Sequence, residues 1–312
     1  MRLVRGFGVA MAVAAMVTGA VGAAAPGKAA ATPSYSYLSG LAAQLGGPDT
    51  APPGANDWHC RPTAKHRNPV VLLHGLSNDT ITWNTMSPVL SRAGYCVFST
   101  TYGRGGMGPV GAVTTAQVSA HQIARFIDRV RAATGAGKVD LVGHSMGGAI
   151  PFYYLGHLGG LPKVDHYVAL AAPFHGSTLS GVATALAGLM NVPGFAQQCG
   201  GPCQFNPGAP FLRELNPDPA IAPDIRFTTI VSRYDEIATP FQTGLLYGPN
   251  VRRVVLQDRC ATDYTEHYEL PADPIAVREV LNSLDPSTAR PADCTTVLPF
   301  VGPIGGADVL GR

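Results

Sequence analysis

Apolar and polar positions change rhythm several times along the chain, and each change marks an element. "PVVLL" at 69–73 is a continuous apolar run, the pattern of a strand covered on both faces. "YCVFST" (95–100), "KVDLVG" (138–143), "VDHYVAL" (164–170), "IRFTTIVS" (225–232) and "VRRVVLQ" (251–257) read as strands too. Between them the period turns helical. In "TTAQVSAHQIARFIDRVRAATG", Ile123, Phe126, Ile127 and Val130 fall at i, i+3, i+4 and i+7, one face of an amphipathic helix that Gly135 closes. Further helices are expected from about Met146 to His157, over "DPIAVREVLNSL" (273–284), and briefly at Tyr37–Leu45. Such alternation implies the α/β class, a mostly parallel sheet with helices on both faces.

Two stretches break the rhythm. Residues 32–68 are rich in Pro, Gly and Ala and read as an irregular lead-in. Residues 173–224 carry Gly, Pro, two cysteines and one apolar helix candidate, "LSGVATALAGLM". An insertion of that size between strands reads either as a lid over a binding region or as a helix packed permanently on the sheet. In the first reading Phe174, Leu179, Val182 and Leu186 line an acyl site; in the second they are core.

The N-terminus reads as an export signal outside the fold. Arg2 and Arg5 precede the apolar run "GVAMAVAAMVTGAVGAAA", and small residues follow it. Cleavage is expected after Ala31, with a site near Ala24 as the alternative, leaving 32–312 as a single domain. The run is too Ala/Gly-rich to favour a retained membrane span. No adjacent arginine pair is present, which favours the general secretion route. Removing residues 1–31 leaves 19 basic and 20 acidic side chains, and no basic run points to nucleic acid.

All six cysteines (Cys60, Cys96, Cys199, Cys203, Cys260, Cys294) follow the signal. An even number in an exported chain implies disulfides, although 15 connectivities are open. Chain order suggests Cys60–Cys96, Cys199–Cys203 and Cys260–Cys294. "CGGPC" lacks the second close Cys or His pair that a zinc site needs.

The chemistry gathers around "KVDLVGHSMGGAI" (138–150). With 37 glycines in the chain, Gly-x-Ser-x-Gly alone comes near a chance match, so context decides. A strand runs into it and a helix leaves it, the setting of a sharp turn that presents a serine nucleophile, Ser145. A serine needs a base, and on such a sheet the order is serine, acid, histidine. Of nine histidines, His267 alone follows the last apolar strand in a loop before the final helix. Asp235, just past the strand "IRFTTIVS", is the acid; Glu236 is its immediate rival, and Asp258 and Asp263 are weaker ones. Backbone N–H groups of Met146 and Leu76 are the candidates for holding an oxyanion. His74, in "LLHGL", reads as a structural residue orienting that loop.

Together "VVLLHGLSND", "DLVGHSMGG", "LAAPFHGS", "VSRYDEIATP" and the late His267 resemble the secreted bacterial class 2 lipases of the α/β-hydrolase superfamily, over roughly residues 68–284. The resemblance implies the α/β-hydrolase fold and a triacylglycerol lipase or carboxylesterase with Ser145, Asp235 and His267 as triad. An acyltransferase would use the same residues. The expected partner is a lipid or other ester, met at a lipid–water interface. No cofactor and no metal site are expected; the acids are scattered without ligand spacing. The mature protein is read as a monomer without a membrane span.

Overall fold

Each of the six apolar runs forms a strand: β1 (Val70–Leu73), β2 (Val97–Ser99), β3 (Val139–His144), β4 (Val164–Leu170), β5 (Arg226–Val231) and β6 (Val251–Val255). The structure, a computed structural model, describes residues 33–47, 50–106, 108–181 and 200–311. The strands pair in parallel in the order β2-β1-β3-β4-β5-β6. Around them stand α1 (Tyr37–Gly46), α2 (Met86–Arg92), α3 (Ala116–Thr134), α4 (Met146–Ala149), α5 (Pro151–His157), α6 (Pro210–Leu215) and α7 (Pro274–Leu284).

The continuous apolar strands are explained by two cores, one on each face. Side chains alternate along a strand. Val71 and Leu73 therefore join Phe98, Leu141 and Phe227 against Ile123 and Ile127 of α3 and Phe152 of α5. Val70 and Leu72 join Val142, Val168 and Ile230 against Val89 and Leu90 of α2 and Ile275 and Val280 of α7. Each such fully buried side chain contributes roughly 1.5–3 kcal/mol. The helix ends follow from local chemistry. Thr115 accepts the Val118 N–H at the start of α3, and Gly135 closes it at φ 74°. Asp273 caps α7 through the Ala276 N–H.

The expected helix from Met146 to His157 is divided into α4 and α5. Ile150 between them keeps helical angles, but Pro151 has no N–H to offer the preceding turn. Several short elements escape the sequence pattern. α2 and α6 have seven and six residues, too few for a helical period to show, and β7 (Val297–Leu298) and β8 (Gly302–Pro303) form a hairpin of two-residue strands. Val182, Leu186 and Cys199 lie outside the described residues. No helix among the described residues is long and apolar enough to cross a membrane.

Two of the expected disulfides are present. Cys60–Cys96 ties the lead-in to β2, and Cys260–Cys294 ties the end of the sheet to the C-terminal tail. Cys203 is also disulfide-bonded. The tail carries the β7–β8 hairpin, whose Phe300 N–H reaches Glu266, next to His267. Closing a 34-residue separation is worth about 3 kcal/mol or slightly more. Replacing both Cys260 and Cys294 by serine is expected to lower Tm by roughly 6–12 °C by calorimetry, and to bring the reduced and oxidised proteins closer together in Tm.

Candidate active site

Because all six strands are parallel, their C-terminal ends share one edge of the sheet, where open α/β sheets place their sites. The register aligns Leu73 with Gly143, and His144 with Leu170. Ser145 follows β3 directly, near the middle of that edge. It is buried, with φ 55° and ψ −128°, a strained conformation for a residue with a side chain. Its N–H donates to the Leu170 carbonyl at 2.8 Å. The flanking glycines permit this turn. A Cβ on Gly143 would lie 2.1 Å from the Gly147 carbonyl oxygen, and one on Gly147 would lie 2.2 Å from that of Leu73. Met146 opens α4, so its N–H has no acceptor within its own helix.

The loop after β1 approaches from the neighbouring strand. A Cβ on Gly75 would lie 2.8 Å from the Ser145 Cβ, so this backbone passes directly beside the serine. Leu76 follows in a turn, its side chain 36% exposed. His74 is fully buried and stacks on Tyr102 at 4.5 Å. Its Nδ1–H donates to the Gly75 carbonyl at 2.7 Å, and its Nε2 accepts the Tyr102 N–H at 3.3 Å. Both ring nitrogens thus hold the loop, as the structural reading of this histidine requires.

Asp235 and His267 meet at the same edge. His267 Nδ1 lies 3.0 and 2.9 Å from the two oxygens of the Asp235 carboxylate, and both side chains are almost wholly buried. Asp235 Oδ1 also accepts the N–H groups of Ile237 and Ala238, which fixes the carboxylate on its loop. The rivals do other work. Glu236 accepts the His267 backbone N–H at 3.2 Å. Asp258 pairs with Arg233 on the surface, and Asp263 accepts the Thr265 N–H within the loop. Burial alone lowers the pKa of the His267 imidazole. The adjoining Asp235 charge, with Glu236 and Glu266, outweighs burial and holds it above the ordinary histidine value.

The His267 loop contains more buried acid than sequence order revealed. Glu266 accepts the N–H groups of Tyr268, Glu269 and Phe300, and burial pushes it up to about 7. Glu269 accepts the Tyr37 N–H at 2.8 Å, and burial pushes it up to about 8. Asp273 is raised by burial and by Asp263 beside it. The signal that could have found these groups is the run "TEHYEL", with glutamates on both sides of the histidine.

The candidate acyl-site residues separate. Phe174 is fully buried and packs edge-on against Phe152 in the core, so its ring serves packing. Leu179 is 38% exposed on a turn whose neighbour Ser180 donates from Oγ to the Glu236 carbonyl at 2.7 Å. The insertion therefore starts against the acid loop. At the opposite edge of the sheet, Asp140, Asp165 and His166 come close enough to share a cation. Asn68 and Arg226 already neutralise or bond these acids, and the His166 Nδ1–H donates to Asp140 at 2.9 Å. The cluster therefore reads as a polar tie between strand starts.

A parallel six-stranded sheet with helices on both faces, and a strained serine turn after a central strand, defines the α/β-hydrolase fold. Within it, residues 67–278 match the family model described as lipase (class 2), and the chain belongs to that family. Among solved structures it is similar to Aspergillus fumigatus lipase B, with a TM-score of 0.58 and 20% identity over 78% of this chain. The chain spans 56% of that lipase, little more than half its length. Bacillus licheniformis lipase BlEst2 in mature form matches with a TM-score of 0.46 and 19% identity, covering 62% of this chain and 85% of the lipase. A lipase-esterase related protein from Clostridium acetobutylicum matches with a TM-score of 0.45 and 16% identity, covering 72% and 97%.

The raised carboxyls make stability depend on pH. An acid whose folded pKa is raised contributes stability below its ordinary pKa and loses it as pH rises through the folded value. For Glu269 that window runs from about 4.5 to about 8. Glu269→Gln, which cannot ionise, is expected to gain roughly 5 °C in Tm relative to the native chain between pH 5 and pH 9. A constant difference across that range would mean that Glu269 has the same pKa in the folded and the unfolded chain.

Proposed function

We propose that the chain is an exported carboxylic ester hydrolase, a triacylglycerol lipase or carboxylesterase that works through an acyl-enzyme on Ser145. The observation that carries this reading is the buried His267–Asp235 pair, with Nδ1 held by both carboxylate oxygens beside the strained serine turn. With its Nδ1–H committed to Asp235, the imidazole keeps Nε2 free of a proton, as a general base requires. Ser145 Oγ attacks the ester carbonyl carbon while His267 Nε2 takes its proton. The carbonyl oxygen becomes an oxyanion held by the N–H groups of Leu76 and Met146, each worth roughly 3 kcal/mol. The carbon–oxygen bond to the alcohol breaks, and the alcohol leaves with the proton from His267. Water then attacks the acyl-enzyme by the same steps in reverse roles, releasing the acid and restoring Ser145. The cycle draws on side chains, backbone and water alone.

Residues 1–31 are the cleaved signal in this reading, and the two described disulfides suit an oxidising compartment. The insertion at 173–224 is the candidate cover of the acyl site. A series of nitrophenyl esters of increasing chain length, measured below and above the solubility limit, tests it. A jump in rate above that limit supports a moving cover; a smooth saturation curve supports a permanently packed one.

The raised pKa of His267 sets a pH dependence. Because the base must be unprotonated, kcat/KM is expected to rise with a midpoint above about 6.5 and then level off. Asp235→Asn removes the charge that raises the pKa and is expected to cut kcat about 10⁴-fold. Ser145→Ala is expected to abolish both turnover and labelling by a fluorophosphonate. A flat pH profile from 5 to 9, or an active Ser145→Ala protein, would overturn the assignment.

A further inference from the structure

His144, the residue before Ser145, is buried and takes no part in the chemistry above. Its Nε2–H donates to the backbone carbonyl of His267 at 2.9 Å, a bond between residues 123 positions apart. Its ring lies 4.7 Å from that of His267. On its other side it meets the loop after β1, where a Cβ on Gly75 would lie 3.4 Å from its Nδ1. That Nδ1 is buried without a hydrogen-bond partner. His144 therefore sits where the nucleophile turn, the base loop and the loop of Leu76 converge.

We infer that His144 is a positioning residue, a neutral strap that carries its Nε2–H to the His267 carbonyl and so sets the base against the nucleophile turn. The inference rests on the reading of Ser145 as nucleophile and His267 as base. Three contacts bear on His267. Glu236 takes its backbone N–H, Asp235 takes its side chain, and His144 takes its carbonyl. The first two come from the loop after β5, and only His144 comes from the element that carries Ser145. Without it, the base and the nucleophile are joined through separate loops alone. Near-attack geometry tolerates little error, and a displacement of about 1 Å can cost on the order of 100-fold in rate.

The strap must also stay uncharged. During the reaction His267 becomes an imidazolium at a ring distance of 4.7 Å. A second cation there would oppose it. Burial, and then the neighbouring His267, hold the pKa of His144 well below the ordinary histidine value. Neutral imidazole has a single N–H, and the bond to the His267 carbonyl requires it on Nε2. The unpartnered Nδ1 agrees with this: a proton placed there would meet no acceptor and would leave the carbonyl without its donor.

The test compares His144→Phe, which keeps a ring but loses the donor, with His144→Gln, whose amide N–H2 can reach a similar place. The expected result for His144→Phe is a fall in kcat of roughly 30-fold with KM within about twofold, and an equal fall in the rate of fluorophosphonate labelling of Ser145. His144→Gln is expected to recover kcat to within roughly fivefold of the native chain. Nitrogen-15 NMR of the native protein supplies a readout independent of folding in the variants: His144 should be neutral with its proton on Nε2 from pH 5 to pH 9. Native kcat in His144→Phe, equal losses in both variants, or a proton on Nδ1 would each overturn the strap. Failure of the catalytic reading looks different, since it leaves Ser145→Ala active whatever His144 does.

Discussion

The site depends on one crossing of backbones. β3 must end beside β1 so closely that Gly147 lies against the carbonyls of Leu73 and His74, and Gly143 against the carbonyl of Gly147. No Cβ fits at either position. This contact forces Ser145 into its positive φ, brings Gly75 against the serine, and starts α4 at Met146. The strain at one residue, about 1–3 kcal/mol, is small against the two cores that hold β1 and β3 in register. The sheet therefore fixes the serine turn, and Leu76, Asp235 and His267 lie on loops that follow other strands.

Those loops are secured mainly by polar contacts. The base loop between β6 and α7 is held by Glu236, by Asp235, by His144, and by its own buried acids. Tyr268 adds aromatic contacts to Tyr37 of α1 and Phe300 of the hairpin. The lead-in helix and the C-terminal hairpin thus both close on the segment that carries His267. Cys260–Cys294 makes that closure covalent. This arrangement gives the short hairpin and the lead-in helix, which look incidental to the sheet, a place in the site.

Much of this was legible in sequence, and the limits have physical causes. Six apolar runs appear as six strands because both faces of a parallel sheet are covered, which makes the runs long and unbroken. Ser145 stood out because an apolar strand runs into its glycine-flanked turn and a helical pattern leaves it. Asp235 and Glu236 could not be told apart by order, since they are adjacent; only the direction of each carboxylate separates them. His144 showed nothing in sequence because its partner is a backbone carbonyl, which every residue has. Phe174 offered both an acyl-site and a core reading, with core the more common fate of such a residue. Its packing against Phe152 depends on how the chain turns after β4, which periodicity does not encode.

The same buried acids set two demands against each other. The proposed base role of His267 requires the neutral ring, above a pKa that Asp235, Glu236 and Glu266 have raised. Glu266 and Glu269 are uncharged below about 7 and about 8, where burial does not oppose them. Raising the pH therefore frees the base while charging the loop that positions it. A carboxylate formed at Glu266 also sits near His267 and favours its imidazolium, so its ionisation moves the imidazole further up. Hydrogen bonds from the N–H groups of Tyr268, Glu269 and Phe300 to Glu266 keep the loop in place when the glutamate ionises, because backbone N–H groups bind the charged form more strongly than the neutral one.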